Sequence, residues 1–418
     1  MGKRLLVLLA TVACLGFAAT AVGQDLKVGT LFDYSGALKE WGPYHQKAAE
    51  LAARQLAAAG LRVQFINRDS GTDAEKAVAA AEELVRKDKV AAIIGSGSSG
   101  VTIPVAKKVT CPDDMLMISP ASTAAYISDL PADRKKDFLF RTCPSDALQA
   151  VVLGKLAASL YKTASVMYVN NAYGQGLAWQ FRRSFQKRGG IVFAMIPHDE
   201  GVAKSYLYDL RKAYTPVFST KPFISGESDV LCVFSYPEQA KVYVKEAIEH
   251  FGASHFLFCD GSKSEKLARS VGPKYLEGMM GTAPGVAAGE SFANFLADYR
   301  EAYGDLPSVP FIANAYDAMA VIGLAAYAAR VKGLPLTPAN IRDQLRAVSD
   351  PPGRFISAGN FQEAFALLDQ GKTVNYEGAS GSVDFDAKGD VLAPIEIWKF
   401  AKGGAIVPYS IEYQIPEE

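Results

Sequence analysis

The chain has 418 residues, more than one hydrophobic core ordinarily organises, so two domains are expected. Apolar residues make up 49% and charged residues 21%, which excludes a disordered chain and suits a globular one. Lys plus Arg and Asp plus Glu both number 44, so no bulk field draws the chain to nucleic acid or an anionic membrane surface.

Lys3 and Arg4 precede an apolar run over 5–13 that is too short to span a bilayer. Ala21 and Gly23 form a small-x-small pattern for cleavage after Gly23, with cleavage after Ala21 as the alternative. Residues 1–23 therefore read as a signal peptide and the mature protein as exported into an oxidising compartment. Cys14 offers a second reading, an acylated lipoprotein Cys, but Thr11 stands where such signals carry Leu. No later stretch reads as long and apolar enough for a membrane span. Four Cys remain after cleavage: Cys111, Cys143, Cys232 and Cys259. Their spacing matches no zinc pattern. Cys232 and Cys259 sit in apolar runs, as buried thiols do. Cys111 with Cys143 is the disulfide to test first.

From residue 26 the pattern alternates strand and helix. Residues 26–32 form an apolar strand, and the loop DYSGALKEWG carries Trp41. Pro43 opens an Ala-rich helix to about residue 59, ended by Gly60. Residues 62–67 alternate like a strand, and Thr72 with Glu75 forms a capping box for the next helix. Apolar runs over 90–94 and 115–118 are short enough for buried strands, with a helix expected over 101–109. Residues 138–141 read as a strand, TCPSD as the start of a helix through 157, and 164–169 as a strand followed by the loop NNAYGQG. A helix over 177–187 and strands over 191–196, 229–234 and 255–259 continue the rhythm, the last two ending in SYPEQ and DGSKSE. Such a rhythm implies parallel sheets with helices on both faces. Beyond residue 290 helices dominate (291–303 and 312–332), and GSVDFDAKGDVLAPIEIWKF reads as two strands turned around Lys388 and Gly389.

The strands over 90–94 and 115–118 each end in small hydroxyl residues: Ser96, Ser98 and Ser99, then Ser119, Ser122 and Thr123. Open α/β sheets bind ligands at strand carboxyl ends. Backbone N–H groups there favour an anion, Gly97 lets a ligand approach, and Ser98, Ser99 and Thr123 add hydroxyls. The Ala121 carbonyl can accept from an ammonium. Asp260, at the end of the run HFLFC, supplies a counter-charge for an α-amino group; its plainer reading is a helix N-cap. Tyr173 and Tyr236 occupy equivalent loops, and Trp41 is a candidate apolar wall.

Other chemistries fit less well. Gly95, Gly97 and Gly100 satisfy G-x-G-x-x-G, but the motif follows a late strand. About twenty residues on, where a ribose-binding acid belongs, stands Ser119-Pro120. GSGSSG is not a nucleophile elbow, and the four His form no H-E-x-x-H, so no enzyme is indicated. The segment 384–390 is similar to a calcium loop, but Lys388 and Ile395 stand at ligand positions, so no metal or cofactor is expected.

In order, VGTLFDYSG, AAIIGSGSSG, ISPAST, LFRTCPSD, NNAYGQGLA, CDG and GSVDFDAKGD resemble the periplasmic solute-binding proteins of branched-chain amino acid ABC transporters, the leucine/isoleucine/valine type. The resemblance covers nearly the whole mature chain. It implies the type I periplasmic-binding fold: α/β, two Rossmann-like lobes with parallel sheets around a ligand cleft. Lobe one is expected over 25–144 plus 285–390, and lobe two over 145–284 plus 391–418. The resemblance makes Ser98 or Ser99, Ala121 and Thr123 the lobe-one contacts, and Tyr173, Tyr236 and Asp260 the lobe-two contacts. The family often carries Glu where this chain has Asp260. The implied protein is a monomer that captures a small amino acid by hinge closure and delivers it to an ABC permease in the inner membrane. The alternative is a relative binding an amide, urea or aromatic carboxylate on the same fold.

Overall fold

The structure is a computed structural model and describes residues 25–214 and 228–415. The expected signal peptide, its cleavage site and Cys14 lie outside the described residues.

The first sheet is built from β1 (Leu26–Phe32), β2 (Val63–Asp69), β3 (Ala92–Gly95), β4 (Met117–Ser119) and β5 (Leu139–Arg141). Its order is β2-β1-β3-β4-β5, parallel throughout. The second sheet begins with β6 (Thr163–Val169), β7 (Ile191–His198), β8 (Val230–Phe234), β9 (Phe256–Phe258) and β10 (Met280–Pro284). A separate parallel pair, β11 (Arg354–Ser357) and β12 (Val374–Glu377), follows, and the chain then returns as β13 (Ile395–Phe400) and β14 (Ile406–Glu412). The second sheet reads β14-β13-β10-β9-β8-β6-β7, with β13 and β14 antiparallel to their neighbours. In each sheet the first strand, β1 or β6, is flanked by the next two, so strand order reverses at its carboxyl end. Each reversal opens a crevice at those carboxyl ends, where open sheets take ligands. These are the two doubly wound halves of the type I periplasmic-binding fold.

The expected strands and helices form within a few residues of their anticipated limits, because the apolar runs are short and cleanly bounded. Four expectations fail for local physical reasons. Residues 382–394 form no strand of a hairpin. Asp386 accepts from the N–H groups of Lys388 and Asp390, closing a turn. The Gly389 carbonyl accepts from Arg141 N–H at the edge of β5 (3.0 Å), and β13 pairs instead with β10 and β14. The cap of the helix Ala74–Glu82 is Asp73, which accepts from Lys76 N–H, not Thr72; the Thr72 hydroxyl accepts from Leu38 N–H. NNAYGQG is not a free loop: Asn171 caps the helix Ala172–Lys187, with Tyr173 in its first turn. Cys111 and Cys143 are unbridged, and all four described Cys are free and buried. Cys111 ends a helical segment at the amino end of β4, whereas Cys143 follows the carboxyl end of β5, so the strands hold the thiols apart.

The helix Ile312–Val331 has the length and apolarity of a membrane span, contrary to expectation, with mean hydropathy 1.3. It is buried from Ile312 to Ala329 and packs on the helix Gly42–Ala58 beside the first sheet. Within it Asp317 is fully buried and accepts from Tyr376 Oη, Ala379 N, Ser380 N and Ser380 Oγ, all at 2.6–2.8 Å.

Candidate functional site

The crevices of the two sheets meet face to face. Between them lies a narrow space, too tight in this arrangement to admit a water, lined by Trp41, Gly97, Ser99, Ala121, Tyr173, Tyr236 and Asp260. Six of the nine anticipated site residues therefore converge from six separate chain segments, and all of them are buried. Ser98, Ser122 and Thr123 are buried beside the space without lining it.

On the first-sheet side the hydroxyls are divided between structure and site. Ser98 caps the helix Ser99–Val105 through Gly100 N–H, and its Oγ shares a hydrogen bond with Tyr236 Oη of the second-sheet side (2.8 Å). Ser122 donates to the Ser96 carbonyl and bonds Thr102 Oγ1, so it holds the loop. Ser99 Oγ accepts from Ala124 N–H and keeps its own proton to donate. Thr123 Oγ1 is buried with no hydrogen-bond partner among the described residues. The anticipated backbone donor is spent: Gly97 N–H donates to Asp33 Oδ2 (3.1 Å). A Cβ on Gly97 would stand 2.5 Å from that oxygen, so Gly97 serves approach of Asp33, not approach of a ligand. Burial pushes the Asp33 carboxyl up to about 6, against hydrogen bonds from Ser70 and Gly97 that lower it.

Trp41 packs against His45 and Phe311, with ring centroids 5.9 and 5.6 Å away. Its indole Nε1 is buried with no partner among the described residues.

On the second-sheet side Asp260 sits beyond the end of β9, and Ser264, not Asp260, caps the helix Glu265–Val271. Asp260 Oδ1 accepts from Tyr173 Oη (2.8 Å) and Gln149 Nε2 (2.8 Å). Tyr173 and Tyr236 stack with centroids 5.7 Å apart and planes 9° from parallel. Asn171 Nδ2 donates to Tyr236 Oη (3.0 Å) and to Glu200 Oε1 (2.5 Å).

Sequence reasoning missed Asp146. The SD of TCPSD reads as a helix start, and Ser145 does cap the helix Asp146–Leu160. Asp146 is itself buried, and both of its carboxylate oxygens lack a partner among the described residues. Burial, then repulsion from Asp260, holds its carboxyl well above the ordinary range, against the neighbouring Thr123 hydroxyl and the Arg141 charge, which lower it. Burial likewise raises Asp260, against the hydrogen bonds from Tyr173 and Gln149. Gln149 Oε1 and Thr282 Oγ1 are further buried polar atoms without partners among the described residues. The one usable signal was positional: Asp146, like Asp260, falls just beyond a strand's carboxyl end. Two desolvated carboxylates without an ion pair among the described residues are costly unless a cation joins them.

The two sides touch around this space. Ser264 Oγ donates to Glu40 Oε2 (2.7 Å), Lys39 pairs with Glu238 (3.0 Å), and Glu200 lies against Gly100. Among the described residues no group of three or more His, Cys, Asp or Glu stands close enough to hold a metal ion.

This architecture has known counterparts. A leucine-binding protein LivK of Thermotoga maritima superposes with a TM-score of 0.75 at 20% identity, over 93% of this chain and 98% of that one. A solute-binding protein of R. palustris solved with benzoate superposes with a TM-score of 0.73 at 17% identity, over 94% and 98%. In sequence, the chain is 29% identical to the chemotactic signal transduction substrate-binding protein BasB of Halobacterium salinarum, over 87% of this chain and 84% of the relative. It is 26% identical to a leucine-, isoleucine-, valine-, threonine- and alanine-binding protein of Pseudomonas aeruginosa, over 77% and 83%. The family described as receptor family ligand binding region matches residues 45–403, most of the chain, and the chain belongs to that family.

Proposed function

We propose that this chain is an exported, non-catalytic binding protein that captures a small α-amino acid and presents it to an ABC permease. The observation that carries the reading is the buried pair Asp146 and Asp260, neither in an ion pair among the described residues. An ammonium between them neutralises the repulsion and supplies the missing hydrogen-bond donors. The ligand carboxylate takes the Ser99 and Thr123 hydroxyls, and its side chain lies toward Trp41 and the stacked Tyr pair.

We assign lobe one to 25–144 plus 285–390 and lobe two to 145–284 plus 391–418, the division that follows the two sheets. The lobes close by hinge motion, and Ser98–Tyr236, Ser264–Glu40 and Lys39–Glu238 are closing contacts. Periplasmic location, a cleaved signal peptide over 1–23 and a monomeric state complete the reading. The name of the Pseudomonas aeruginosa amino-acid-binding relative supports a ligand of this class.

The benzoate-bound neighbour favours a second reading, an aromatic carboxylate ligand. An acid without an amino group would face two carboxylates and satisfy neither, so this reading ranks below the first. Calorimetry with leucine, isoleucine, valine, threonine and alanine against benzoate tests both. Heat from any amino acid, abolished in the Asp146→Asn/Asp260→Asn double variant, supports the proposal. Binding of benzoate alone overturns it.

A further inference from the structure

A second, larger cavity of about 830 Å³ lies on the flank where the two sheets' helices and loops meet, and it shares no lining residue with the amino-acid site. That volume falls in the range of small-molecule sites. One wall comes from the helices Asp146–Leu160 and Ala172–Lys187 of the second-sheet side. The other comes from Ser128 and the turn around Asp386, which is fastened to β5. Leu148, Val151, Phe385 and Val391 give the space an apolar lining.

Its polar groups are unevenly used. Gln180 Oε1 and Ser382 Oγ, one from each wall, are buried atoms with no hydrogen-bond partner among the described residues. Arg183 lines the space and forms no ion pair among the described residues. The other charges are largely spent. Asp390 is held by Arg141 (2.6 Å), Lys388 pairs with Asp129 (2.8 Å), and Asp386 closes its own turn. Asp384 stands in the lining without a cation partner among the described residues. An occupant with an apolar body suits the lining, an anionic end suits Arg183, and an N–H suits Gln180 Oε1 and Asp384.

Two structural elements are shared with the amino-acid site. The helix Asp146–Leu160 carries Asp146 and Gln149 on the side of that site and Leu148 and Val151 in the flank cavity. Arg141 donates to the Ser122 and Ala124 carbonyls, which bracket Thr123, and also to Asp390 and Ser128 of the flank cavity. An occupant would touch both walls, so it binds the joined lobes better than separated ones, and such preference shifts the equilibrium toward them.

We propose that this flank cavity is a second binding site, which takes an apolar organic anion carrying an N–H donor and favours the joined arrangement of the lobes. The probe is 1-anilinonaphthalene-8-sulfonate, which has that chemistry, titrated into the full chain with fluorescence readout. One bound probe per chain is expected, with affinity falling by about tenfold or more in Leu148→Trp, which fills the space. A similar loss is expected in the surface variant Arg183→Glu, which keeps the test open where Leu148→Trp does not fold. Small-angle scattering should show a smaller radius of gyration with the probe bound. Absence of stoichiometric binding, binding indifferent to Arg183→Glu, or an unchanged radius overturns the proposal. A chain that binds the probe but no amino acid would defeat the amino-acid reading and leave this one standing.

Discussion

Two buried-carboxylate settings in this molecule look alike by burial and differ in how their oxygens are satisfied. Asp317, in the helix Ile312–Val331, is met by four donors from the segment 376–380. Asp146 has no hydrogen-bond partner at either oxygen among the described residues, and Asp260, beside it, has its Oδ1 occupied by Tyr173 and Gln149. A desolvated carboxylate that the fold satisfies is part of the architecture. One that the fold leaves wanting takes up a proton or waits for a cation brought from outside. The lesson is that burial does not mark a site; unsatisfied capacity does.

The largest effect should come from the satisfied carboxylate. Asp317→Ala strands its donors and is expected to cost about 3–5 kcal/mol in urea denaturation, with the ligand affinity of the folded fraction unchanged. A loss below about 1 kcal/mol would erase the contrast.

The unsatisfied pair should respond with the opposite sign. Asp146→Asn or Asp260→Asn removes a repulsive charge and should raise the melting temperature of the free protein. Each should weaken leucine binding by about 1.5–3 kcal/mol, roughly ten- to a hundredfold. Thermal melts and calorimetry on the same preparation check both signs, and a variant that loses stability and affinity together would make the pair structural.

pH separates the two settings further. Asp33 and Asp317 are each pushed up to about 6 by burial, from 3.8. Their contribution is full below 3.8 and is lost as pH rises through about 6, so free-protein stability should fall across that window. Asp146 and Asp260 are also raised, and an ammonium requires them ionised. Affinity should therefore climb with pH while binding releases protons, which calorimetry in buffers of different ionisation enthalpy measures. Proton uptake on binding would contradict the site.

The smallest effect is steric. A Cβ on Gly100 would come within 2.1 Å of Glu200 Oε1, the far end of a flexible side chain that can yield. Gly100→Ala should therefore cost about 1 kcal/mol of affinity, several-fold, with the stability of the free protein preserved. An affinity equal to wild type would remove Glu200 and Gly100 from lobe closure.

Much of this was legible residue by residue. Short apolar runs such as Ile93–Ile94 and the run before Asp260 are strands in any α/β setting, and helices between them force parallel pairing. Trp41, Ser99, Ala121, Tyr173, Tyr236 and Asp260 could be named because each falls at a strand's carboxyl end or in the loop beyond it. The segment 382–394 could not be read, because its alternation is local while its turn is held by Arg141, which lies far back in the chain. Ser122 and Ser98 were legible as hydroxyls but not as spent hydroxyls, since their partners Thr102 and Tyr236 belong to other segments.

Local pattern by itself determined the element types, the strand–helix rhythm and the stock of chemical groups near the cleft, because those follow from periodicity and side-chain identity. Only the tertiary structure decided which groups remain free. Gly97 N–H went to Asp33, Cys111 and Cys143 stayed at opposite ends of neighbouring strands, and Asp146 turned inward beside Asp260. Hydrogen-bond satisfaction is a long-range accounting, settled when distant segments meet, and the site is what that accounting leaves over.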